Sequence, residues 1–317
     1  MAKNLKKDKT VFAAKIAAIV LCALALVAGA LYGYFSGDSF RMDFSEQVTI
    51  SSADEIAAHG ESLFNDDCVL TDNIVIDDAA LRIGSPDRPF EGVFDGRGYT
   101  ITCDFDSAPD GWSLFGSIGE GGVVRNLKVV FKDVEVKGSA FGGIALINYG
   151  TVQNCHIVYE LSASDPSGMY SPCVAINRGD IKGVLASGTF AASTTMSNES
   201  GIAFGGVCAY NYGTLDGGIA VPEFAGLKCT DEYSILIGAT VNPGVAAVCA
   251  YSSGGGSVKC TAALMDRGVY TSDRSSLDLF TDERSQVFNE DVFNALNFDN
   301  RFWKLVESGL ELSGGAQ

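Results

Sequence analysis

Proline is scarce in this chain, 7 of 317 residues, and histidine scarcer still at 2. Few prolines beside 37 glycines describe an ordered chain with many tight turns, which excludes a proline-rich linker or a low-complexity tail. His59 and His156 are the two imidazoles and no CxxC pair accompanies them, so no metal site and no cofactor is expected. Positive charge is also short: 22 basic against 39 acidic residues leave a net charge of −17. A surface of that sign excludes nucleic acid as the partner of the folded part. HExxH and GxSxG are both absent, so no catalytic residue is nominated.

What is present begins with Ile16 to Phe35, an uncharged run of twenty residues, long enough to cross the hydrocarbon core as a helix. It follows five lysines set against Asp8, so residues 1–35 carry a net +4 and the remainder −21. The positive-inside rule then expects a basic cytoplasmic tail (1–15), a transmembrane anchor in the lipid bilayer (16–35), a linker (36–47) and an extracytoplasmic domain (48–313). Ala28-Gly29-Ala30 is a small-x-small cleavage site, which keeps a removed signal peptide open beside the uncleaved anchor.

The domain itself repeats. Ile147-Asn148-Tyr149-Gly150 returns as Ile176-Asn177-Arg178-Gly179 and as Tyr210-Asn211-Tyr212-Gly213, with an earlier glycine at Gly122. Glycine spacings of 28, 29 and 34 residues suit a solenoid, whose units bury their apolar faces only by stacking. Val124, Leu127, Val129 and Phe131 align with Val152, Cys155, Ile157 and Tyr159, then with Ile181, Val184 and Ala186, then with Leu215, Gly218 and Ala220. Residues two apart share one face of a strand, so the step of three at Val152-Cys155 demands a corner at Gln153-Asn154. An all-β fold follows: a parallel β-helix with Asn126 and Asn154 at one corner, and Asn148, Asn177, Asn211 and Ser252 at another.

Short helices are expected to cap it. Ser52-Ala53-Asp54-Glu55 is a capping box ahead of Ile56, His59, Leu63 and Phe64 on one helical face. At the far end a helix over Glu290 to Leu296 leads to Phe298, Phe302 and Trp303, expected to cover the last coil. Ala191 to Gly201 and Pro222 to Pro243 read as inserted loops. The eight cysteines beyond Cys22 sit in apolar contexts and read as buried thiols. Cys208 and Cys249 share a register that leaves a disulfide open.

One stretch resembles a known family. Pro89-Phe90-Glu91-Gly92-Val93-Phe94-Asp95-Gly96-Arg97-Gly98-Tyr99-Thr100-Ile101, then Ser113-Leu114-Phe115-Gly116-Ser117-Ile118 and the Asn-x-Gly repeats, is similar to the GLUG-repeat β-helix domains of bacterial surface and secreted proteins. The resemblance spans about residues 48 to 312. It implies a right-handed parallel β-helix displayed outside the cell as an accessory or adhesive module, and it brings no catalytic motif with it.

Stacked repeats turn letters into columns. Tyr149, Arg178 and Tyr212 form one corner column, aromatics interleaved with a guanidinium, and are the candidate binding residues for a glycan, a cell-wall component or a surface protein. The alternative reading makes them turn residues that shield a coil edge. Arg125, Gln153, Lys182, Asp216 and Lys259 read as a solvated strand face. Asp66 with Asp67, or Asp104 with Asp106, would suit a carbohydrate-active enzyme only at a set separation. A membrane-anchored, non-catalytic binding module is the leading expectation, with a glycan hydrolase or lyase and an envelope structural subunit as the alternatives.

Overall fold

The computed structural model describes residues 47–196, 202–229, 245–246, 249–252, 257–264, 279–281, 284–296, 298–307 and 309–313. The expected tail (1–15), membrane segment (16–35) and all but the last residue of the linker lie outside them. Among the described residues no helix is long and apolar enough to cross a membrane.

Strands dominate, and nearly all pair in parallel with a strand one repeat away. Face one stacks Val48–Ile50, Cys68–Leu70, Val93–Asp95, Val123–Arg125, Thr151–Gln153 and the starts of Asp180–Met196, Thr214–Cys229 and Ser257–Leu264. Face two stacks Ile74–Ile76, Thr100–Cys103, Lys128–Val136 and His156–Ala163 on the remainders of the long strands. Face three stacks Phe115–Ile118, Ala145–Asn148, Val174–Asn177, Cys208–Asn211 and Cys249–Ser252. A fourth ladder joins Ala140–Gly142, Gly168–Ser171, Ile202–Gly205 and Val245–Ala246. The chain thus winds into a β-helix-like stack of coils.

Register carries the expected files. Val124 pairs with Val152, Val152 with Ile181 and Ile181 with Leu215, and all four are buried. Val129, Ile157, Ala186 and Ala220 make a second buried file on face two. Each larger aliphatic removed from water there stabilises the stack by about 1.5–3 kcal/mol. The corner between these faces needs a left-handed residue, and Asn126 (φ 53°) and Asn154 (φ 51°) supply it, as the step of three requires. Lys132 and Asp133 together oppose Glu160, a bulge in which Asp133 takes φ 48°.

The glycine column has a different cause. Gly150, Gly179 and Gly213 do not adopt the left-handed backbone. Instead a Cβ added at Gly150 would lie 2.1 Å from the Gly122 carbonyl oxygen, one at Gly179 2.1 Å from that of Gly150, and one at Gly213 2.1 Å from that of Gly179. Each of these carbonyls accepts a hydrogen bond from the next coil, Thr151 N at 2.9 Å, Asp180 N at 2.8 Å and Thr214 N at 2.8 Å. Neighbouring backbones nest so closely that no side chain fits.

Three expectations need correction. Ala191 to Met196 and Pro222 to Cys229 are strand, not loop, because each insertion finds its backbone partners in the other: Ala191 pairs with Ala225, and Thr195 with Lys228. The remaining insertion residues, 197–201 and 230–243, lie outside the described residues. The first cap forms over Ala53–His59, with Ser52 Oγ accepting from Glu55 N at 3.3 Å, and Ile56 and Leu63 enter the core. His59 is exposed instead, because Gly60 (φ 48°) turns the chain into a 3-10 segment, Gly60–Phe64, and swings the apolar face away.

The C-terminal aromatics also differ from expectation. Helices over Arg284–Val287 and Glu290–Ala295 precede an antiparallel pair, Trp303–Val306 with Gly309–Leu312. Val287, Leu296, Phe298, Trp303, Leu310 and Leu312 form a second core with Leu185 and Ile219. Leu185 and Ile219 lie in one row of face two with His156 and Lys128, outside the inner file. The segment therefore clasps the side of the stack, because the Leu185–Ile219 part of that row is apolar and demands cover.

Candidate functional site

The corner between faces three and one is built on buried asparagines. Asn148, Asn177 and Asn211 are all fully buried. Asn148 Nδ2 donates to Asn177 Oδ1 at 2.8 Å, and Asn177 Nδ2 donates to Asn211 Oδ1 at 2.8 Å and to the Thr214 carbonyl at 3.1 Å. Asn148 Oδ1 accepts from Gly150 N at 3.1 Å. A buried amide must be satisfied on both its oxygen and its nitrogen, and only a ladder of identical residues achieves that coil after coil. By register Ser252 follows Asn211, continuing the expected column.

With asparagine turned inward and glycine allowing no side chain, the residue between them must face solvent. Tyr149 is 43% exposed and Arg178 is exposed, while Tyr212 is half-buried. Their backbones lock the column: Tyr149 N donates to Ile118 O at 2.8 Å, Arg178 N to Asn148 O at 2.7 Å and Tyr212 N to Asn177 O at 2.7 Å. Successive members thus stand about one strand spacing apart, ~4.8 Å. The Arg178 guanidinium carbon lies 5.0 Å from the Tyr212 ring centroid, a cation–π contact of about 0.5–1 kcal/mol at such an exposed site. That contact pre-orders the guanidinium and keeps one Tyr212 face dry.

A second column was missed. Face three shows a buried–half-buried–half-buried–buried pattern at Ala145-Leu146-Ile147-Asn148, which breaks simple alternation. Ile147, Ile176 and Tyr210 share one register and are all half-buried. Each sits immediately before the inward asparagine, as Tyr149, Arg178 and Tyr212 sit immediately after it. The surface is therefore two side chains wide. The signal lay in the recurring triplets Ile147-Asn148-Tyr149, Ile176-Asn177-Arg178 and Tyr210-Asn211-Tyr212, whose central member has to be buried for its neighbours to point out.

Other nominated groups have structural work. Arg125 pairs with Gln153, Gln153 with Lys182, Lys182 with Asp216 and Asp216 with Lys259, in register as expected. Within it Arg125 binds Asp95 at 3.0 Å and Lys182 binds Asp180 at 2.8 Å, solvent-screened pairs worth about 0–1 kcal/mol. Asp67 Oδ1 accepts from Val93 N at 2.8 Å, and Asp104 is bound to Lys132 at 3.0 Å. Cys68, Cys103, Cys155 and Cys173 are buried free thiols, and burial pushes Cys68 and Cys155 up to about 12, which silences them as nucleophiles. Cys208 and Cys249 do share a register on face three. Among the described residues no cluster of metal-ligating side chains occurs.

Comparison with known proteins agrees with this picture at the level of fold. No family model matches the chain. Over 79 residues it is 39% identical to a protein of Evansella cellulosilytica provisionally named a Gly-rich membrane protein; the match covers 24% of this chain and 9% of that relative. The crystal structure of a protein from Bacteroides ovatus provisionally named an immunoglobulin A1 protease superposes with a TM-score of 0.55 at 15% identity. That superposition covers 87% of this chain and 94% of the other, so the two share a parallel-sheet fold.

Proposed function

We propose that this chain is a GLUG-like, right-handed parallel β-helix held at the membrane by residues 16–35, facing outward, and that it binds a surface glycan or protein without catalysing a reaction. One observation carries the reading. A rigid corner presents Tyr149, Arg178 and Tyr212 beside Ile147, Ile176 and Tyr210, on backbone spacing fixed by the ladder beneath. Aromatic faces take up the apolar faces of sugar rings or flat side chains, and the guanidinium donates to hydroxyl or carboxylate oxygens. Sites on rigid scaffolds lose little ordering entropy on binding, which suits a corner underpinned by a buried asparagine ladder. The uncharged run at 16–35 and the partial likeness to a relative named for the membrane support the location. The likeness to a solved structure named as a protease supports the fold and transfers no activity.

Glycan-array binding by the full chain tests this, with Tyr149→Ala and Tyr212→Ala singly and together. Loss of binding of tenfold or more in the double variant is expected. Unchanged binding in that variant eliminates the platform.

A further inference from the structure

The clasp over face two contains an arrangement that the binding corner does not use. His156 and Trp303 face each other with ring centroids 5.9 Å apart and planes inclined by 52°. His156 Nδ1 and Trp303 Nε1 are both buried and, among the described residues, neither has a hydrogen-bond partner. Trp303 is 1% exposed and its other side packs edge-on to Phe298 at 5.0 Å. In the row of face two that holds His156, Lys128 lies one coil before and Leu185 one coil after, followed by Ile219.

We propose that this contact is a pH-gated latch: protonation of His156 expels Trp303 and releases the clasp, residues 284–313, from the outside of face two. A neutral imidazole tolerates the site. An imidazolium would hold a buried Nδ1–H without an acceptor beside an indole whose own N–H is a donor only and cannot accept it. Lys128 is the charged group beside it on the coils, while Leu185 and Ile219 offer no counter-charge. From the clasp, Asp299 is committed to Arg301 at 2.6 Å, and Lys304 and Glu311 are exposed. The indole face returns part of the cost as cation–π attraction, but at the outer limit of distance for that contact.

Burial, and then Lys128, hold His156 down at about 4 against an ordinary 6.5. In the released state the group returns to its ordinary value and takes up protons first. Clasping is therefore strongest above pH 6.5, weakens as pH falls toward 4, and levels off below; the shift is worth on the order of 10²-fold in the latch equilibrium. Release would uncover Leu185 and Ile219 as a fresh apolar strip beside the coils.

Hydrogen exchange of the full chain between pH 7 and 3.5, corrected for intrinsic rates and read at 303–312, tests this. The wild type is expected to lose roughly a hundredfold of protection at 303–312 while Ala145–Asn148 keeps its own. His156→Phe is expected to stay protected throughout, whereas a loss owed to a carboxylate such as Asp299, held low by Arg301, would appear equally in both proteins. Lys128→Met is expected to move the wild-type midpoint to higher pH. An equal loss in His156→Phe, no loss in the wild type, or an unmoved midpoint in Lys128→Met each overturns the latch. If His156→Phe does not fold, the Lys128→Met midpoint decides alone.

Discussion

Replacing Asn177 by alanine is the sharpest perturbation of the ladder. Its side chain accepts from Asn148 Nδ2 at 2.8 Å and donates to Asn211 Oδ1 at 2.8 Å, the Thr214 carbonyl at 3.1 Å and the Gly179 carbonyl at 3.2 Å. Alanine deletes all of these while leaving the neighbours in place, fully buried. Asn148 Nδ2 keeps the Asp180 carbonyl at 3.2 Å, which limits the damage on that side. One or two buried polar groups left short of a partner, at about 1–3 kcal/mol each, give an expected loss of about 2–4 kcal/mol. That is a large share of the ~5–15 kcal/mol by which a domain is stable. Urea denaturation followed by far-ultraviolet circular dichroism measures it as a shift in midpoint at constant slope. Gln153→Ala, on the solvated side of face one, is the control and is expected to fall within about 0.5 kcal/mol of wild type. If Asn177→Ala unfolds at the same urea concentration as that control, the ladder carries no stability and the reasoning fails.

Other outcomes follow from the same geometry. Gly179→Ala places a Cβ 2.1 Å from the Gly150 oxygen and 2.6 Å from the Tyr149 carbonyl carbon, so soluble folded protein is expected to disappear; normal yield and melting would refute the nesting. At Asn154 (φ 51°) glycine is expected to hold stability within about 0.5 kcal/mol whereas valine costs at least ~1–2 kcal/mol, read by thermal melts. Cys103 and Cys155 are expected to resist maleimide at pH 8 until the chain is unfolded, because burial keeps both thiols protonated; rapid native labelling would contradict that.

How much of this was legible in the letters depends on which force set each position. Inner files were readable because Val124, Val152, Ile181 and Leu215 keep one register and one chemistry. Asn126 and Asn154 were readable because a left-handed corner admits few residue types. The column of Tyr149, Arg178 and Tyr212 was readable from its place beside an invariant register, but Ile147, Ile176 and Tyr210 were not: the pair of outward residues at Leu146-Ile147 defeats a period of two. Long-range partnership hid the rest. Ala191–Met196 became strand only because Ala225–Cys229 lies alongside to pair with it. Trp303 went to the side of the stack because Leu185 and Ile219, more than eighty residues earlier in the chain, needed cover.

Cysteine cross-linking across face one tests the stacking most directly. Arg125 and Gln153 are register partners, as are Gln153 and Lys182, so each pair lies about one strand spacing apart, while Arg125 and Lys182 lie two spacings apart, ~10 Å. Arg125→Cys with Gln153→Cys, and Gln153→Cys with Lys182→Cys, are expected to form disulfides identified by peptide mapping, and Arg125→Cys with Lys182→Cys is not. Efficient bridging of 125 to 182, or none between 125 and 153, would mean that the coils do not lie one upon the next.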